Sequence, residues 1–311
     1  MLVSRNLDRQ IGDMSQGHTV TDDGVQLLYQ SFGAEGGPAV VLANGIGVRY
    51  PGVVRQMAPL REAGFRVICW DYRGIGQSVM PDPRTGDVSM GRHARDILAI
   101  LSHLAIERAI FVGWSMGVQV SLEVIRRQPE RAAGFVALLG AHARPFQTAF
   151  PPRVAAGIEG FFRFLNRFPA VAQGALNLAV ALPDFAFFVL SNGVFVGKDA
   201  DREVFDANVR SVAGVEKTLY TRTMLALAAH DATDLLPNVR CPALVIAGER
   251  DHLTPPRVAM EMARAIPDAT YREIEGGTHF AMIERPELIN GWLLTFAQQV
   301  YDGRPAREAA G

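Results

Sequence analysis

Strand-like runs alternate along this chain with segments of helical pattern, and that alternation restricts the fold more than any other feature. The runs are VQLLYQSF at 25–32, AVVLAN at 39–44, FRVICWD at 65–71, AIFVG at 109–113, GFVALLG at 134–140 and ALVIAG at 243–248. Most are short and nearly continuously apolar, which suits strands covered on both faces of a mostly parallel sheet. A turn at Asp22-Asp23-Gly24 precedes the first of them. Between them, 51–63, 89–105, 116–128, 256–265 and 286–300 carry the helical pattern. Strand and helix in alternation predict an α/β fold.

The alternation breaks between 142 and 222. This stretch has no clear strand and reads as helical and apolar, so the expected organisation is a core of 1–141 and 223–311 carrying a helical cap at 142–222. Such an insertion falls beyond the carboxyl ends of the strands, where open α/β sheets bind ligands. Between Arg167 and Lys198 the only charged residue is Asp184. A membrane span needs about 20 predominantly apolar residues in a row. Pro183-Asp184 and Ser191-Asn192-Gly193 cut the run into shorter pieces, so the segment is expected to cover an apolar pocket, with no stable membrane insertion.

Composition narrows the partners. Of 311 residues, 49% are hydrophobic and 20% charged, with a net charge of -1. With no Lys/Arg run, there is no reason to expect a nucleic acid. Cys69 and Cys241 each lie beside an apolar run and are expected as buried free thiols, which suits a reducing compartment. The N-terminal stretch MLVSRNLDRQIGDM carries Arg5, Asp8 and Arg9 and no apolar signal core, so a cytoplasmic location is expected. The closing DGRPAREAAG reads as a frayed tail. Gly74-Ile75-Gly76 lacks the third glycine of a dinucleotide loop, and no Cys/His cluster has zinc spacing. Neither cofactor nor metal is expected.

Chemistry concentrates in FVGWSMGVQVS at 111–121. Gly113-Trp114-Ser115-Met116-Gly117 follows an apolar strand and opens a helix. A side chain at the tip of so sharp a strand-to-helix turn needs small neighbours two residues away. A serine that merely caps the helix is the plainer reading of such a turn. A nucleophilic serine would need a base, an acid to orient that base, and donors for an oxyanion. Among seven histidines, His18 falls in the N-terminal arm, and His93 and His103 on a helix expected at the surface. His279 lies in a glycine-led loop between a strand-like run and the final helix, a position suited to a base. For the acid, Glu249 and Asp251 compete just beyond ALVIAG, and Asp251 has the better place at the strand-to-helix loop. LANGIGVRYPG follows the strand 39–43 with Asn44-Gly45-Ile46-Gly47. Its Asn44 and Gly45 are expected to support a loop that turns the Ile46 amide toward Ser115, with the Met116 amide as second donor.

With these pieces in place the chain resembles the α/β-hydrolase superfamily over nearly all of residues 20–300. The resemblance includes DYRGIGQS at 71–78 and GGTHFAMIERPE at 276–287. It departs where many relatives have His-Gly and this chain has Asn44-Gly45. The resemblance implies a mostly parallel eight-stranded sheet, a helical cap and a Ser115–His279–Asp251 triad.

The expected activity is hydrolysis of a small to medium, largely apolar ester, thioester or lactone by a carboxylic ester hydrolase. Trp114, Phe187 and Phe188 are the candidate substrate contacts. Two alternatives remain at this level: hydrolysis of a C–C bond in a ring-cleavage diketone by the same triad, and a slow-turnover small-molecule receptor on the same fold.

Overall fold

The structure, a computed structural model, describes residues 14–80, 82–192 and 195–303. Residues 1–13, Gly193 of the expected Ser191-Asn192-Gly193 break, and the expected C-terminal tail beyond Gly303 lie outside the described residues. In chain order the chain forms β1 (Met14–Val20), β2 (Gln26–Phe32), β3 (Ala39–Ala43), α1 (Val54–Glu62), β4 (Arg66–Trp70), α2 (Met90–His103), β5 (Ala109–Trp114), α3 (Met116–Arg127) and β6 (Ala132–Leu138). Helices α4 (Pro145–Ala149), α5 (Pro152–Arg167), α6 (Pro169–Ala181), α7 (Pro183–Asn192), α8 (Arg202–Ala213) and α9 (Lys217–Ala229) follow, with no strand among the described residues between them. The chain then returns through β7 (Ala243–Gly248), α10 (Pro256–Ala265), β8 (Ala269–Ile274), α11 (Ala281–Glu284) and α12 (Pro286–Asp302).

The eight strands make one sheet in the order β1-β2-β4-β3-β5-β6-β7-β8. β1 and β2 pair antiparallel with each other, as do β2 and β4, and every pair from β4 to β8 is parallel. Because successive strand residues point to opposite faces, neighbours in one strand enter different cores. Val41 and Phe111 join Ile97 of α2, Val120 of α3 and Met262 of α10 on one face. Val40, Val112 and Ile246 join Met57 of α1 and Phe296 of α12 on the other. Burial on both faces explains why the strands read as apolar runs with no alternation.

Two expectations need correction. His18, expected in an N-terminal arm, lies in a strand: it pairs with Leu28 in the edge strand β1, whose mostly exposed side chains left no apolar signal. His93 is not at the surface but 1% exposed in the core face of α2. The same face carries Arg92 and Asp96, and Asp96 accepts from Arg73 (2.6 Å) and Arg92 (3.0 Å). Charges paired inside invert the pattern by which a surface face is read from sequence.

The helical run between β6 and β7 extends to Ala229. A neck closes its base: Ala143 bridges Asp231, the Arg144 amide donates to His230 O (2.8 Å), and the Ala232 amide donates to His142 O (3.1 Å). This neck lies about ten residues beyond position 222, because the chain crosses back to the sheet as an extended segment with no composition change to mark it. Among the described residues no helix is long and apolar enough to cross a membrane.

Candidate active site

Parallel strands in register end together, so the loops after β3, β5, β6, β7 and β8 meet at one edge of the sheet. Ser115 follows β5 there with φ 54° and ψ -117°. A left-handed φ is uncommon for a residue with a Cβ and persists only where the surroundings impose it. The Ser115 amide donates to Leu138 O (3.2 Å), and its carbonyl accepts from the Val118 amide (3.1 Å). The flanking glycines are required by space. A Cβ on Gly113 would stand 2.3 Å from Gly117 O, and one on Gly117 would stand 2.0 Å from Ala43 O.

The elbow, the histidine loop and the β7 loop converge. His279 Nε2 is 3.0 Å from Ser115 Oγ, and His279 Nδ1 is 2.9 Å from Asp251 Oδ2. Asp251 is 2% exposed, and its own turn holds it. The amides of Leu253 and Thr254 donate to Oδ1, both at 2.9 Å, and the Thr254 hydroxyl donates to Oδ2 at 2.6 Å. Burial pushes the Asp251 carboxyl up, but the facing imidazole and these donors outweigh it and hold it below the usual carboxylate range. Glu249, the rival acid, turns outward and accepts from the Gly276 amide (2.7 Å).

The loop after β3 runs against the elbow. A Cβ on Gly45 would meet the Trp114 ring at 3.2 Å and Ser115 Cβ at 3.5 Å. The loop is tied at several points. Asn44 O accepts from the Tyr72 hydroxyl (2.9 Å), and Gly47 O accepts from Ser211 of α8 (2.8 Å). Arg49 Nε donates to both oxygens of Asp71, at 3.1 and 3.0 Å. The Asn44 side chain is 1% exposed, but its side-chain amide makes no hydrogen bond among the described residues, so the tie runs through its main-chain oxygen and not through the side chain expected to support the loop. Ile46 is part-buried in this loop. Met116 is the first residue of α3, so its amide has no partner within its own helix.

Trp114 takes a place other than the one expected. Its side chain is 3% exposed, and the indole N–H donates to His279 O (3.2 Å). It braces the histidine loop and offers little surface to a substrate. Phe187 leads inward through a series of ring contacts: Phe187 to Phe205 (5.1 Å), Phe205 to Phe280 (5.6 Å) and Phe280 to His279 (6.0 Å). On its other side the Arg202 guanidinium lies 4.4 Å from the Phe187 ring centre. Phe188, one residue on, is 62% exposed.

Sequence reasoning assigned nothing to Glu284, Arg49 or Asp71. Glu284 is 8% exposed and accepts from the Thr278 amide (3.1 Å), the Thr278 hydroxyl and the Gly197 amide (2.6 Å). It thereby joins the histidine loop to the segment between α7 and α8 of the helical insertion. The DYRGIGQS stretch contained the signal for Asp71. A Cβ on Gly76, whose φ is +59°, would stand 2.0 Å from Asp71 Oδ2, so that glycine makes room for the Asp71–Arg49 pair.

Residues 38–286 match the α/β-hydrolase fold family. RutD of Variovorax paradoxus (strain S110), a carbamate-hydrolase candidate, is 29% identical over 285 residues, covering 88% of this chain and 97% of its own. The 3-oxoadipate enol-lactonase 2 of Acinetobacter baylyi is 26% identical over 272 residues, 88% of this chain and 93% of that one. Among solved structures, the esterase EaEST of Exiguobacterium antarcticum superposes with a TM-score of 0.76 at 19% identity, covering 90% of this chain and 98% of that one. At that identity the likeness is one of fold.

Proposed function

This chain belongs to the α/β-hydrolase family, and from that premise we propose that it is a serine hydrolase that cleaves small to medium, largely apolar carboxylic esters, thioesters or lactones through an acyl-enzyme. The observation that carries the reading is the continuous hydrogen-bonded line from Ser115 through His279 to a buried Asp251. Ser115 Oγ attacks the substrate carbonyl as His279 Nε2 takes its proton. Asp251 fixes the tautomer that leaves Nε2 free to accept, and it stabilises the imidazolium that forms. The Ile46 and Met116 amides receive the oxyanion, the α3 N-terminus adding its partial positive charge. His279 then returns the proton to the leaving group, and water activated by the same imidazole releases the acid.

The helices of 142–222 act as a cap, and Phe187, Phe205 and Phe280 supply an apolar wall for the acyl side. An aromatic wall favours a hydrocarbon acyl group over a charged ring-cleavage diketone. A lactone is an ester closed into a ring and needs no different machinery. The free thiols of Cys69 and Cys241 support a cytoplasmic setting.

The test is a panel of p-nitrophenyl esters of graded chain length with the Ser115→Ala variant as control. Sustained turnover that disappears in the variant is expected. An acyl-enzyme burst without turnover would instead favour the receptor reading, and cleavage of a diketone with no ester turnover would favour the C–C hydrolase.

A further inference from the structure

We propose that the outer face of α5 is a docking surface for an anionic lipid bilayer, on which the helix lies in the plane of the headgroups. At 100° per residue, Val154, Phe161, Phe164 and Phe168 fall in one stripe along α5 and its C-terminal end. All four are between 47% and 56% exposed. The helix does not need this stripe for packing. Its inward face uses Ala155 and Leu165, which are buried, and Phe162, whose ring stacks on Phe146 at 5.8 Å. Asn166 fixes that orientation by accepting from Thr221 of α9 at 3.0 Å. The apolar arc of α5 is therefore far wider than the arc that touches the protein.

The charges beside the stripe identify the occupant. α5 carries Arg153, Arg163 and Arg167 against Glu159 alone, in a chain whose net charge is -1. The Arg167 guanidinium lies 5.9 Å from the Phe168 ring, at the margin of the stripe. Arg163, 72% exposed, pairs with Glu159, 21% exposed, at 3.7 Å, so Arg153 and Arg167 are the charges that flank the stripe. The glutamate is turned toward Gln147 of α4. Exposed aromatics with an arginine margin on an amphipathic helix are the pattern of segments that lie in a membrane interface and do not span it. Each arginine near an anionic surface adds attraction, and each phenyl ring adds buried apolar area.

The full chain is mixed with vesicles of phosphatidylcholine alone and with vesicles containing about 30% phosphatidylglycerol, and the bound fraction is measured by flotation. Binding is expected to the anionic vesicles and to weaken at high salt. Phe161→Ser with Phe164→Ser should lower partitioning by on the order of a hundredfold. Arg153→Gln with Arg167→Gln should lower it by roughly tenfold or more on anionic vesicles alone. All variants should retain the far-UV circular dichroism and melting temperature of the parent, and its rate on a short soluble ester. No binding to anionic vesicles by the parent, or unchanged binding by the phenylalanine variant, overturns the proposal. So does a concentration-dependent dimer that the phenylalanine variant abolishes, since a second copy would then be what covers the stripe.

Discussion

The indole N–H of Trp114 donates to the main-chain oxygen of His279 at 3.2 Å, so the residue before the proposed nucleophile braces the loop that carries the proposed base. Nucleophile and base therefore share one rigid support. Trp114→Phe keeps most of the buried ring and removes the donor. It should lower kcat by roughly tenfold with little change in KM, because a misplaced imidazole weakens proton transfer more than binding. A parental kcat in the folded variant would show that the hydrogen bond is incidental.

Ser115→Ala should reduce ester turnover by on the order of a million-fold, and Asp251→Asn by roughly ten-thousand-fold, since the asparagine favours the wrong imidazole tautomer. Glu249→Gln should stay within about threefold of the parent, its carboxylate meeting only the Gly276 amide among the described hydrogen bonds. Steady-state kinetics with mass-spectrometric mapping of an organophosphonate label check all three. A label on a residue other than Ser115 would sink the assignment.

Glu284 positions His279 through Thr278. Glu284→Gln keeps the shape but turns an NH2 group toward donors that need an acceptor, which costs about 1–3 kcal/mol in a buried site. The expected result is a lower melting temperature together with a kcat reduced about tenfold at unchanged KM. Loss of stability with parental kcat would reduce Glu284 to a structural tie.

Phe187 is pinned between Arg202 and Phe205, whereas Phe188 is 62% exposed. Burying each methylene of an acyl chain contributes about 0.8 kcal/mol, so kcat/KM should rise with chain length until the pocket is full. Phe187→Ala should move that optimum to longer chains, and Phe188→Ala should move it less. Identical chain-length profiles for parent and Phe187→Ala would place the pocket elsewhere.

Burial lowers the His93 pKa to about 4 from 6.5, with Asp96 and Asp87 opposing the shift and Arg73 and Arg92 reinforcing it. The folded state holds this ring neutral, and the unfolded chain takes up a proton first. Its contribution is therefore fully present above pH 6.5 and is lost as the pH falls toward 4. Across that window the parent should lose on the order of 3 kcal/mol from this group. His93→Phe, which keeps a ring beside Tyr72, should lose correspondingly less. Urea titrations of both proteins at pH 7 and pH 4.5 measure the difference; equal losses would contradict it.

Alternating short apolar runs and helical segments determined an α/β sheet before any tertiary contact was known, because strands buried on both faces have no polar side to show. The glycines around Ser115 determined an elbow, because only small residues fit within 2–3 Å of Ala43 O and Gly117 O. The place of Asp251 in the strand-to-helix loop already favoured it over Glu249 in the sequence, but only the tertiary structure gives the direction of each: Glu249 turns to the surface and Asp251 toward the His279 ring. The edge strand β1 and the buried His93 were illegible for a related reason. Strand pairing through the backbone needs no apolar side chains, and a buried Arg73–Asp96 pair makes an interior face look like a surface one. Glu284, Trp114 and Arg49 act on loops distant in sequence, across 87 residues in the case of Gly197 and Glu284. Their partners are set by where the strand ends meet, which no local pattern encodes.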